Sequence, residues 1–166
     1  MIPAGPELDS AGSAGILVDT NLLVLFVVGT VNRDRIETFK RTRRYTTSDY
    51  DLLVRVLAKS ERLYTVAHVL AEVSDLTDLP GAEGLRARRV LKETISLLNE
   101  GEMSSTRAAE GRLYEDLGLV DAAIGEVARA HNCSVLIDDL DLYLRLSYDS
   151  VSVFNFTHLR AHAWGI

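Results

Sequence analysis

The sequence predicts an α/β protein in which a central parallel sheet of four to five strands has helices on both faces. Three observations predict it. Short apolar runs, each too brief for a helix, alternate along the chain with longer segments of helical periodicity. Strands that alternate with helices pair in parallel and bury both faces of their sheet. Finally, 166 residues, 47% hydrophobic and 25% charged, suffice for one domain with a substantial core.

Gly15-Ile-Leu-Val-Asp19 reads as the first buried strand, an apolar run ending in an acid. Asn21 to Val28 follows as an apolar helix with Gly29 as its stop. Residues 30–47 form a basic, partly helical segment. Ser48 is a good N-cap for a helix to Lys59, with Asp49 and Asp51 in its first turn. Arg62 to Val66 is the second strand. In the helix from Ala67 to Leu76, Val69, Leu70, Val73 and Leu76 form the buried face, while His68, Glu72 and Asp75 share the other by their spacing. Leu79-Pro80-Gly81 breaks the chain. A long helix then covers Glu83 to Asn99 and ends at Gly101, with Ala87, Leu91, Ile95 and Leu98 as its stripe. Ser104 or Ser105 caps a helix to Leu117, and Asp121 caps another from Ala122 to Ala130. Ser134 to Ile137 is the third strand and Leu140 to Leu146 a short helix. Val151 to Phe154 is the last strand, before a closing helix over Thr157 to Trp164.

Charge and cysteine content narrow the class. The net charge of −6 argues at first against nucleic acid, but it is unevenly spread. Arg33, Arg35, Lys40, Arg41, Arg43 and Arg44 against Asp34 and Glu37 make residues 33–44 +4 and leave −10 for the rest. A basic rim beside an acidic pocket can engage a phosphate backbone, although such clusters are also common as solvated helix faces. The single cysteine, Cys133, excludes an internal disulfide framework and fits a reducing cytoplasm. Met1 to Ala14 lacks the basic and apolar regions of a signal peptide and reads as a flexible tail. The most apolar stretch, Ile16 to Val28, is too short to span a bilayer. The expected organisation is a tail over 1–14 and a single domain over 15–166, in the cytoplasm and away from membranes.

Four acids carry the chemistry: Asp19, Glu72, Asp121 and Asp139. Asp19 ends a strand, and ligands of open α/β sheets bind at the carboxyl ends of strands. An ordinary N-cap would explain Asp19 or Asp121 singly, and most mid-helix glutamates are merely solvated. Both roles are compatible, since a capping carboxylate keeps lone pairs for a metal. Thr20 and Asn21 can orient a ligand water or the carboxylate. Asp138, Asp139 and Asp141 are three acids in four positions, a like-charged cluster that costs Coulomb energy unless a cation offsets it. Hard oxygen ligands suit Mg²⁺ or Mn²⁺. His158 and His162 lie four apart on a helix, a spacing far more often seen on a plain surface.

Ile-Leu-Val-Asp19-Thr-Asn21, Thr65-Val-Ala-His-Val-Leu-Ala-Glu72-Val, Gly118-Leu-Val-Asp121-Ala-Ala-Ile and Val135-Leu-Ile-Asp138-Asp139-Leu-Asp141, in this order, resemble a PIN domain of the VapC-like ribonuclease superfamily. The resemblance spans Gly15 to Phe156. It implies a Rossmann-like three-layer fold and a Mg²⁺- or Mn²⁺-dependent ribonuclease whose acidic quartet is Asp19, Glu72, Asp121 and Asp139. The family's last motif has Thr or Ser before its final acids, where this chain has Ile137. Asp139 is preferred by its distance from that place, and Asp138 stays open as the alternative. Thr20, Asn21 and Asp141 would stand around the ligands. The basic segment 30–47 is an insertion relative to compact toxins of this type, which pair with an antitoxin; a homodimer is also implied.

The expected activity is metal-assisted hydrolysis of single-stranded or structured RNA, with the arm at 33–44 tracking the backbone and Phe39 or Tyr45 available for base stacking. Two other readings are an inactive RNA-binding or assembly scaffold and an aspartyl-nucleophile phosphatase. The second lacks its general acid, because Asn21 stands two places after Asp19.

Overall fold

The computed structural model describes residues 15–165; the tail expected over 1–14 lies outside the described residues. The order is β1 (Ile16–Val18), α1 (Thr20–Val31), a 3₁₀ turn (Arg33–Arg35), α2 (Thr47–Lys59), β2 (Leu63–Val66), α3 (Ala67–Leu76), α4 (Gly81–Leu97), β3 (Asn99–Gly101), α5 (Ser105–Ala109), α6 (Tyr114–Leu117), α7 (Leu119–His131), β4 (Ser134–Ile137), α8 (Leu140–Tyr148), β5 (Val153–Asn155) and α9 (Phe156–Trp164). Among the described residues five strands form one sheet, all parallel, in the order β3-β2-β1-β4-β5. No helix among the described residues is long and apolar enough to cross a membrane.

Strands β1 and β4 are buried along their whole length, which is why they read as continuous apolar runs without alternation. Helix α1 lies among α2, α3 and α4, and eight of its residues are buried, so it is apolar nearly all round. It runs through Gly29, where the sequence predicts a stop. A Cβ at Gly29 would fall 2.3 Å from the Tyr50 ring, so this glycine permits the close approach of α2 rather than ending the helix. The cap of α2 is Thr46, not Ser48. The Thr46 hydroxyl accepts from the Asp49 amide while the Asp49 carboxylate accepts from the Thr46 amide.

Residues Asn99–Gly101, expected as a helix end, form the edge strand β3 on β2. Nothing in Asn-Glu-Gly favours a strand locally. The parallel ladder and a bond from Asn99 Nδ2 to the Leu63 carbonyl hold it there. The helix expected over Ser104 to Leu117 is two short ones, with Ser104 capping the first. Of the predicted stripe on α4, Ala87 and Leu91 are buried but Ile95 is 40% exposed.

The basic segment 30–47 is wound against the domain. Ile36, Thr42 and Tyr45 are buried, and successive backbone bonds fold the chain into tight turns between Arg35 and Tyr45. Arg33 pairs with Asp51, Arg35 with Glu83, Lys40 with Asp78 and Arg44 with Asp138. Among the described residues Arg41 and Arg43 make no ion pair. The stacking role expected for Tyr45 is therefore corrected, because its ring is buried in the fold. Phe39 is half-buried against the core.

Candidate metal centre

The strand order reverses between β1 and β4: the chain moves outward from β1 to β2 and β3, then crosses back to β4 on the other side of β1. The carboxyl edge at such a reversal is a crevice where loops diverge. Asp19 follows β1 there, and Asp138-Asp139 follow β4.

Asp19 caps α1, its Oδ1 accepting from the Leu22 amide at 2.9 Å. Its Oδ2 accepts from the Asp138 amide at 3.0 Å, which ties the two strand ends together. Burial pushes the Asp19 carboxyl up to about 7, although both amide bonds favour its charge. Glu72 projects from α3, and its Oε2 accepts from the Thr20 hydroxyl at 2.6 Å. Asp139 caps α8, accepting from the Leu142 amide at 2.9 Å.

Asp121 is not the cap the sequence suggests. Helix α7 begins two residues earlier, after Gly118, whose φ of +88° lets the chain turn directly out of α6. Asp121 therefore sits in the first turn, and its carboxyl is pushed up to about 6, by burial first and then by the negative charges of Asp139 and Glu72.

All four acids line one cavity of about 150 Å³, with Thr20, Asn21, Leu76, Ile124 and Leu142 completing its wall. Of the adjacent acids after β4, Asp139 faces this cavity and Asp138 does not. The Asp138 side chain is 4% exposed, and both its oxygens are engaged: Oδ1 accepts from the Thr157 hydroxyl and Oδ2 from the Tyr45 hydroxyl, each at 2.6 Å. Asp141 is exposed and lies outside the cavity wall. A larger cleft of about 660 Å³ between α2, β5 and α9 contains His158 and His162 but no carboxylate, so it is a separate feature.

The donor set suits a hard divalent ion: four carboxylates share a small cavity, and two of them have their proton affinity raised by burial, a penalty a cation would offset. As the side chains stand, no three of the described His, Cys, Asp or Glu residues form a group that could hold a metal ion. Present bonds explain this in part, since Glu72 is held to Thr20, and Asp19 and Asp139 to helix amides.

A parallel α/β sheet with four acids gathered at its carboxyl edge is an arrangement in which a divalent ion could be held. Residues 16–145 match the PIN domain family, and the chain belongs to it. PIN domains are generally nucleases that use divalent metal ions. Among solved structures, the chain is similar to VapBC2 from Rickettsia felis, bound to a DNA fragment from their promoter. The identity is 18% and the TM-score 0.55, over 84% of this chain and 97% of the other. No curated protein matches the sequence.

Proposed function

We propose that this chain is a divalent-metal-dependent endoribonuclease acting as the toxin of a toxin–antitoxin pair. The observation that carries the nuclease reading is the convergence of Asp19, Glu72, Asp121 and Asp139 on one cavity at the sheet's switch point. Asp19, Asp121 and Asp139 would hold Mg²⁺ or Mn²⁺, with Glu72 completing the set directly or through water. When bound, the ion would lower the pKa of a water and offset phosphate charge.

The chain's own residues do the rest. Thr20 fixes the Glu72 carboxylate, the α1 and α8 amides orient Asp19 and Asp139, and Leu76, Ile124 and Leu142 form the apolar part of the cavity wall. Arg41 and Arg43 are the cations of the basic segment best placed to meet a phosphate backbone, because the other four are held in ion pairs. The toxin reading, with an antitoxin protein as partner, is supported by the likeness to a VapBC complex. Self-association as a dimer and a cytoplasmic site of action belong to the same reading.

A scaffold that binds RNA without cutting is the second reading, supported by Arg41 and Arg43, which make no ion pair among the described residues. The test is cleavage of end-labelled single-stranded RNA with Mn²⁺, with Mg²⁺ and with EDTA, beside Asp19→Asn. Metal-dependent cutting lost in the variant is expected. RNA binding by folded protein without cutting under either ion would favour the scaffold, and cutting that survives Asp19→Asn would remove the metal-nuclease reading.

A further inference from the structure

Asp138 stands next to the candidate centre yet turns away from it, into a polar network assembled from distant parts of the chain. Tyr45, at the end of the basic segment, donates its hydroxyl to Asp138 Oδ2 at 2.6 Å. Arg44 Nη2 donates to the Tyr45 hydroxyl at 2.7 Å and lies 3.2 Å from the same carboxylate oxygen. From the first turn of α9, the Thr157 hydroxyl donates to Asp138 Oδ1 at 2.6 Å. The Tyr45 ring is itself clamped. Phe156 meets it edge-on at 6.4 Å, and the Arg44 and Arg160 guanidinium groups lie over it at 4.8 and 5.8 Å. Arg160 is in turn held by Asp49, whose side chain is 1% exposed, through a 2.7 Å bond.

The network reaches the site through one backbone group. The Asp138 amide donates to Asp19 Oδ2, and this is the bond that joins the β4 end to the β1 end. With its carboxylate fastened on both oxygens, residue 138 has little freedom, so its amide is held in line with Asp19. Asp139, the next residue, takes its direction from the same fixed peptide. Thr157 and Arg160 lie beyond residue 145, where the family match ends, and nothing in that match assigns them a role.

We propose that Tyr45, supported by Arg44 and Thr157, is a positioning residue: it clamps Asp138 so that the Asp138 amide holds the Asp19 carboxylate in its working orientation. The end of the basic segment thus acts as an internal strut. The proposal takes its catalytic meaning from the nuclease reading of Asp19, but its structural core does not depend on that reading.

The experiment has two readouts on the full chain carrying Tyr45→Phe, Thr157→Val or Thr157→Ser. The first is amide hydrogen exchange by NMR, comparing Asp138 with Leu17 and Leu136 in the buried strands. Loss of one hydrogen bond to a charged group predicts about ten- to a hundredfold faster exchange at Asp138 in Tyr45→Phe and Thr157→Val. The strand amides should stay unchanged, and Thr157→Ser, which keeps the hydroxyl, should restore protection. Unchanged exchange at Asp138, or acceleration shared by Leu17 and Leu136, overturns the proposal, the latter by showing a merely global loss of stability.

The second readout is steady-state RNA cleavage, where kcat should fall about tenfold in Tyr45→Phe with KM within about twofold. A raised KM with unchanged kcat would instead make this segment a substrate-binding arm and overturn the strut. If the wild-type chain proves not to cleave RNA, the nuclease reading fails, and the exchange comparison alone decides the strut.

Discussion

The Asp19→Asn substitution tests the electrostatics of the site without requiring a substrate. In the folded chain the Asp19 carboxyl is pushed up to about 7 by burial, against an ordinary value of 3.8. The folded state therefore binds more protons than the unfolded state between these values. The stability this group contributes is greatest below the unfolded value and is lost as pH rises through about 7. For a single group so shifted, linkage gives a loss of about 2–3 kcal/mol between pH 5 and pH 8.

An asparagine has the same shape and no charge, so it removes this slope. It carries its own cost, because both Asp19 oxygens accept backbone amides, and the asparagine NH₂ must face either Leu22 or Asp138. That donor–donor contact costs about 1–3 kcal/mol at every pH. The variant should thus be less stable than wild type at pH 5 and comparable or more stable at pH 8. Urea denaturation in EDTA at both pH values measures the difference. Parallel wild-type and variant profiles over this range would refute the reasoning. With Mn²⁺ at about a hundred times its dissociation constant, wild type at pH 8 should gain about 2.7 kcal/mol, and Asp19→Asn much less.

Gly29→Ala would drive a methyl group into the Tyr50 ring and should lower stability by about 1–3 kcal/mol, read as a fall in the thermal midpoint with secondary structure retained. Asp49→Ala removes the buried partner of Arg160 and one arm of the α2 capping box, so a loss of about 3 kcal/mol or more is expected in urea. In RNA-binding assays at low salt, Arg41→Ala with Arg43→Ala should weaken affinity and flatten its salt dependence more than Arg33→Ala with Arg35→Ala, because the latter two already neutralise Asp51 and Glu83.

Much of the architecture was legible because it rests on local chemistry. Ser134–Ile137 and Ala67–Leu76 occupy the predicted residues, since an apolar run of strand length and a periodic apolar face are signals carried within a few positions. Asp19 and Asp139 were legible in the same way, as acids at the ends of apolar runs, and the structure places both as helix caps. Where prediction failed, a distant partner had overridden local preference. Gly29 looked like a stop but makes room for Tyr50, and Asn99–Gly101 becomes a strand only because β2 offers it a ladder.

By itself, then, the sequence determined the alternation of strands and helices and the presence of acids at the ends of apolar runs, because periodicity and side-chain type act over one or two turns. Only the tertiary structure decided how those acids are used. It set Asp139 toward the cavity and Asp138 into the Tyr45 and Thr157 network, although the two are adjacent and chemically identical. It also paired most of a basic arm with acids, because Asp51, Glu83, Asp78 and Asp138 come from other segments of the chain. Such partnerships depend on which strand ends and helices meet at the switch point, and that is settled by the packing of the whole sheet.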